Sequence, residues 1–220
     1  MSDEQGGSST LSVGARAERG RTGAMAAVPA MTSDGSPERR GGVSPLSVGV
    51  VVWLASELMF FAGLFATYYT LRAENEVWPP PEVDLDVLRA LASTVILLAS
   101  SLTMHASVRA AERRQRRKAM RWLLATFVLG AVFLINLGLE WAGNDFGPQD
   151  NAYGSIYYIL TGFHGLHVLG GLVLMVLAAA VVSGSASRVP VGPTYTVTGY
   201  YWHFVDFVWV GVFVTIFLVQ

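Results

Sequence analysis

Five ionisable residues stand inside otherwise apolar stretches: Glu57, His164, His167, His203 and Asp206. His164 and His167 are three residues apart, as are His203 and Asp206, so each couple shares one face of a helix. At about 1.5 Å per residue, Glu57 lies about 16 Å into its stretch, near the middle of a membrane. His164 and Asp206 fall at similar depth, and His167 and His203 nearer the inner half. Such residues in a membrane each need an account, because a charged group there costs about 2.5–3.5 kcal/mol on insertion scales. Three chemistries compete. The first is a metal site, since His-x-x-His, His-x-x-Asp and Glu57 give five potential ligands, as in di-iron bundles. Di-iron bundles, however, use four carboxylates and two histidines, and only two carboxylates lie at this depth. The second is haem ligation by paired histidines, for which the depths match poorly and His105 sits at the inner end of its span. The third is structural, with carboxylates and imidazoles hydrogen-bonding between helices and Glu57 uncharged or tightly paired. A proton path through Glu57 is a special case of the third.

The elements that must carry these residues follow from hydropathy. Of the 220 residues, 52% are hydrophobic and 14% charged, against roughly 25% charged in an ordinary soluble domain. Five spans are predicted at 46–71, 88–108, 122–141, 153–182 and 197–219. Their apolar stretches hold three acids (Glu57, Glu140, Asp206) and, Arg89 at one edge apart, no Lys or Arg. Each is long enough to cross a hydrocarbon core of about 30 Å. The fold class is therefore an all-α membrane protein, a five-helix bundle over 45–220, which excludes a soluble enzyme. With no cysteine, disulfides, iron–sulfur clusters, thiolate zinc sites and cysteine nucleophiles are excluded. A net charge of -1 gives no ground for nucleic-acid binding.

Residues 1–44 are rich in Gly and Ser and have no aromatic residue, so they are expected to be a disordered tail. No apolar region of a signal peptide is present in them, and Met25 and Met31 offer later starts. The connection Arg109–Arg121 has seven basic residues against Glu112 alone, whereas 72–89 is acidic. The positive-inside rule then places the N-terminus in the cytoplasm and the C-terminus outside. Short connections predict that consecutive spans are antiparallel neighbours. Trp78-Pro79-Pro80-Pro81 imposes extended backbone, either as a span terminator or as a docking surface. Glu140 and Trp141 are expected at the outer interface, the acid solvated. Tyr68, Tyr69, Trp122, Tyr153, Tyr157, Tyr158, Tyr200, Tyr201 and Trp202 lie near span ends, where belt anchoring explains most aromatic residues. Trp53 and Trp209 are deeper. With Trp78 and Trp202 they are the candidates for lipid or subunit contact.

Four segments carry a resemblance: Ser56-Glu57-Leu58-Met59-Phe60-Phe61-Ala62-Gly63, Trp78-Pro79-Pro80, Gly162-Phe163-His164-Gly165-Leu166-His167-Val168, and Tyr201-Trp202-His203-Phe204-Val205-Asp206. In order and placement they resemble subunit III of the haem–copper cytochrome c oxidases, in its five-helix bacterial form and most like the actinobacterial aa3-type. The resemblance covers about 45–220. It implies a non-catalytic subunit of a proton-translocating respiratory oxidase in the bacterial cell membrane. Such a subunit has no catalytic residue, haem or copper of its own, the redox centres being in subunits I and II. It stabilises subunit I, supports proton uptake and holds phospholipid in a cleft. Its expected partners are subunits I and II, membrane lipids and a larger respiratory supercomplex. Glu57 matches the family's buried glutamate, His164 and His167 its helix-borne histidines, and His203 and Asp206 those of the last helix. The sequence departs from the seven-helix form by starting at what would be the third helix, and the two missing helices form one wall of the lipid cleft. In span three Asn136 and Leu137 precede Glu140 where the family often has a Gln. The alternatives are a quinol-oxidase or nitric-oxide-reductase-associated homologue, or a self-contained transporter or metal-binding membrane enzyme.

Overall fold

The computed structural model describes residues 45–83, 85–183 and 191–219. The expectation for the 1–44 tail lies outside them. Five long helices make up the described chain: α1 (Pro45–Glu74), α2 (Val87–Glu112), α3 (Arg116–Gly143), α4 (Ala152–Ser183) and α5 (Val191–Phe213), the last continued by a π-helical turn at Val214–Leu218. All five are long and apolar enough to cross a membrane. α3 begins at Arg116 and α5 at Val191, ahead of their apolar stretches. At α3 the reason is propensity: Arg, Lys, Ala and Met are good helix formers and extend the helix beyond the residues that hydropathy detects. The outward faces are apolar. Leu102, Leu124, Ile135, Leu139, Leu166 and Phe207 are all more than half exposed, which suits contact with lipid or an apolar partner helix.

The helix order in space differs from the simple antiparallel series. α2 packs on α3, α3 on α4, and α4 on α5, as short connections require. α1 instead packs on α4 and α5, and α5 also packs on α2. So α5 stands between α1 and α2, and these two consecutive spans are not neighbours. The connection over 75–86 is long enough to step over the end of the bundle, so sequence adjacency imposes no contact there. It is anchored by Trp78, whose ring sits edge-on to Tyr153 (5.0 Å between centroids) and Tyr68 (5.5 Å). Tyr153 and Tyr157 are fully buried with Tyr68. These three are core residues and not belt anchors, because the Trp78 loop and Phe146 cover them.

Polar contacts stitch the α2–α3 hairpin along its length. Arg89 Nε donates to Asn136 Oδ1 at 3.1 Å, and Asn136 Nδ2 bonds Ser93 Oγ. Thr103 and Thr126 hydroxyls meet at 2.8 Å, and Ser107 Oγ donates to the Ala119 carbonyl at 2.9 Å. Without a hydrophobic driving force between helices in lipid, such bonds and close packing hold them together. The hairpin turns through Arg114, whose φ of 58° is left-handed. Gln115 N–H bonds the Ala110 carbonyl and Arg114 N–H the Ala111 carbonyl, the two bonds of a Schellman C-terminus.

Candidate functional site

The five ionisable residues separate into two couples and one lone ring. Glu57 is carried by α1 and His167 by α4, and Oε2 lies 3.2 Å from Nε2. The other imidazole nitrogen, Nδ1, is 2.7 Å from the Phe163 carbonyl one turn earlier. A carbonyl only accepts, so Nδ1 carries a proton. The Glu57–His167 contact must then be made by a single proton between Nε2 and Oε2. Either a neutral carboxyl donates to imidazole, or imidazolium donates to carboxylate. Tyr201 of α5 donates its hydroxyl to the His167 carbonyl at 2.9 Å, and its ring stacks on Trp53 of α1 (5.5 Å, 11°). Phe61 closes the imidazole edge at 5.0 Å. The couple is not sealed: the side chains of His167 and Glu57 are 16% and 26% exposed. The contact pins α1 to α4.

The second couple joins α2 to α5. His203 Nδ1 is 2.7 Å from Ser101 Oγ and 3.9 Å from Asp206 Oδ2, the latter a charge contact too long for a hydrogen bond. His203 is 40% exposed and Asp206 only 6% by side chain. Above and below, Trp202 Nε1 donates to Ser100 Oγ at 2.9 Å and Trp209 Nε1 to Thr94 Oγ1 at 3.0 Å. α2 therefore presents Thr94, Ser100 and Ser101 as acceptors to α5.

His164 shares a helix with His167 but not its neighbours. Three residues turn the chain by about 300°, which leaves the two rings about 60° apart. His167 reaches α1, and His164 is fully buried between Phe133 (5.7 Å) and Trp209 (4.9 Å). Neither His164 nitrogen has a hydrogen-bond partner among the described residues. The five residues thus do not converge, and among the described residues no three of His, Cys, Asp or Glu are placed to hold a metal ion.

Of the four tryptophans proposed for lipid or subunit contact, Trp202 and Trp209 are buried in the bundle (0% and 2%), which removes them from any outer surface. Trp78 is half-buried in its loop and Trp53 is 47% exposed. A further correction concerns Glu140. It is 6% exposed, not solvated, and accepts from the Tyr157 hydroxyl at 2.9 Å, with the Arg89 charge within reach. Helix α3 continues to Gly143, which sets Glu140 a turn inside the end. The signal available in sequence was the spacing: Asn136 and Glu140 are four residues apart, so they share a face, and Arg89 stands at the same end of α2.

The comparisons with known proteins agree on one family. A model of the family "Cytochrome c oxidase subunit III" matches residues 39–220. The chain is 43% identical over 179 residues to "Probable cytochrome c oxidase subunit 3" of Nocardia farcinica, covering 80% of this chain and 88% of that protein. It is 42% identical over 181 residues to "Cytochrome c oxidase subunit 3" of Corynebacterium diphtheriae, with 80% and 88% covered. A more distant relative, the protein of the same name from Thermostichus vulcanus, is 33% identical over 173 residues, with 78% and 86% covered. With five membrane-length helices and a family model matched over residues 39–220, the chain belongs to the cytochrome c oxidase subunit III family.

Proposed function

We propose that this chain is the subunit III of a haem–copper cytochrome c oxidase, a subunit without redox centres that steadies its partners and helps supply protons to them. The observation that carries the reading is the Glu57–His167 couple. It ties helix α1 to α4, and through Tyr201 to α5, while leaving both side chains partly exposed. A glutamate–histidine couple near the middle of the membrane suits proton transfer more than electron transfer, and His203 and Asp206 stand apart from it on α5. Haem and copper belong in this reading to subunits I and II. The printed names of the relatives favour cytochrome c as the electron donor. The positive connection at Arg109–Arg121 favours a cytoplasmic N-terminus in a bacterial cell membrane.

The test has two parts. Affinity purification through this chain should bring haem-bearing partners, and the chain expressed alone should hold no stoichiometric iron or copper; either metal in the isolated folded chain would overturn the reading. Glu57→Gln keeps the shape and a hydrogen bond to His167, so the complex should assemble normally. Glu57→Ala leaves the His167 side unpaired at a cost of about 1–3 kcal/mol and should weaken assembly. Loss of sustained turnover in an assembled Glu57→Gln oxidase supports proton supply, and unchanged turnover leaves only the structural role.

A further inference from the structure

The hairpin end opposite the Trp78 loop has a feature that the oxidase reading does not use. Because the Schellman turn at Arg113–Gln115 is so short, the last turn of α2 and the first turns of α3 lie side by side. Between them is a cavity of about 360 Å³ lined by Leu102, His105, Arg109, Arg113, Lys118 and Trp122, among others. Arg109 lies in the last turn of α2 and Arg113 caps that helix four residues on, and Lys118 and Trp122 are one turn apart on α3, so four side chains line one space from two walls. Three of them are cations. The ion pairs of the described residues are His167–Glu57 and His203–Asp206, and neither involves these three. Arg109 and Arg113 at i,i+4 repel each other, so the gathered charge is unfavourable unless an anion enters.

We propose that this cavity binds the phosphate headgroup of an anionic phospholipid. Guanidinium groups match phosphate oxygens two at a time, and an ammonium adds a point charge. What selects a lipid over free phosphate is the grading of the walls. Down α2 the face runs from Arg113 and Arg109 through His105 to Leu102, which is 74% exposed on the apolar part of the helix. Across from it Trp122, 44% exposed, stands where indoles settle at a membrane interface. A ligand that fits has negative charge at one end and hydrocarbon one to two turns deeper. The site lies between α2 and α3, away from α1 and the Glu57–His167 couple, and needs only that the basic end face a leaflet containing anionic lipid.

Native mass spectrometry of the purified oxidase containing this chain tests the assignment, by titration with cardiolipin, phosphatidylglycerol and phosphatidylcholine bearing the same acyl chains, and with inorganic phosphate. The anionic lipids should bind with saturation, phosphatidylcholine at least tenfold more weakly, and phosphate should not displace them. Neutralising a cation that lines the cavity and meets the headgroup should weaken binding about fivefold, so Arg109→Gln/Arg113→Gln/Lys118→Gln should lose on the order of 100-fold. Arg116→Gln/Arg117→Gln removes charge from the same connection but not from the cavity, and should bind nearly as the parent does. Equal losses in the two variants would show general charge attraction and overturn the site. Displacement by phosphate, or equal binding of phosphatidylcholine, would overturn the lipid headgroup as ligand. Should the triple variant not assemble, the three single variants decide: each is expected to lose about fivefold, and unchanged affinity in all three refutes the proposal.

Discussion

Trp202 is the residue on which the packing of three helices meets, and Gly130→Ala is the smallest change that tests it. The indole is fully buried, donates to Ser100 on α2, and lies across the bare backbones of Gly130 on α3 and Gly171 on α4. A Cβ at position 130 would stand 2.5 Å from Trp202 Cη2, 2.9 Å from Cζ2 and 3.0 Å from Leu172 Cδ2. Carbon atoms pack favourably at about 3.5–4.0 Å, so the ring would have to withdraw by about 1 Å. It has nowhere to go: a Cβ at Gly171 would already meet Cε3 and Cζ3 at 2.8 Å, so that backbone blocks the other side. Overpacking costs about 1–3 kcal/mol, and pulling Nε1 away from Ser100 adds about 1 kcal/mol. The better helix propensity of Ala returns about 1 kcal/mol, so Gly130→Ala is expected to destabilise the chain by about 1–3 kcal/mol in reversible unfolding from mixed micelles. Trp202→Phe shortens the ring at the point of collision. In Gly130→Ala/Trp202→Phe the alanine should accordingly cost less than about 1 kcal/mol, a favourable coupling of about 1–3 kcal/mol. A loss below about 0.5 kcal/mol for Gly130→Ala, or strict additivity in the double variant, would refute the packing argument.

Further outcomes follow from other sites. Arg114→Gly removes the side chain from a left-handed residue (φ 58°) and should raise stability by about 1 kcal/mol, read in the same unfolding assay; a loss would mean that the arginine side chain does more than tolerate its backbone. Tyr157→Phe takes away the hydroxyl donor of buried Glu140 and should cost about 1–3 kcal/mol, with Glu140→Gln/Tyr157→Phe less severe than the sum of the single changes. Since the chain has no cysteine, Arg116→Cys and Glu82→Cys report topology by impermeant labelling. Arg116→Cys should react only from the cytoplasmic face and Glu82→Cys only from outside, and the reverse pattern would reject the positive-inside assignment.

The sequence alone determined the spans, because burial in lipid demands long runs without charge, and this demand is local to each helix. It also supplied the polar residues worth following, since an acid or imidazole in such a run stands out against its neighbours. It did not determine which of them meet. His164 and His167 differ by one turn of one helix, yet one lies against two aromatic rings and the other against Glu57, because about 60° of arc separates an inward face from one turned to α1. The position of α5 between α1 and α2 was hidden for a related reason: a connection long enough to cross the bundle end leaves neighbour choice to side-chain fit. That fit includes Trp202 across two glycines and indole donors on Thr94 and Ser100. Glu140 and the buried tyrosines show the same limit. Near a span end, an acid or a tyrosine has the same sequence context whether it faces the headgroups or the core. Only the Trp78 loop, folded back over Tyr68 and Tyr153, and the continuation of α3 past Glu140 turn that end of the bundle from interface into interior.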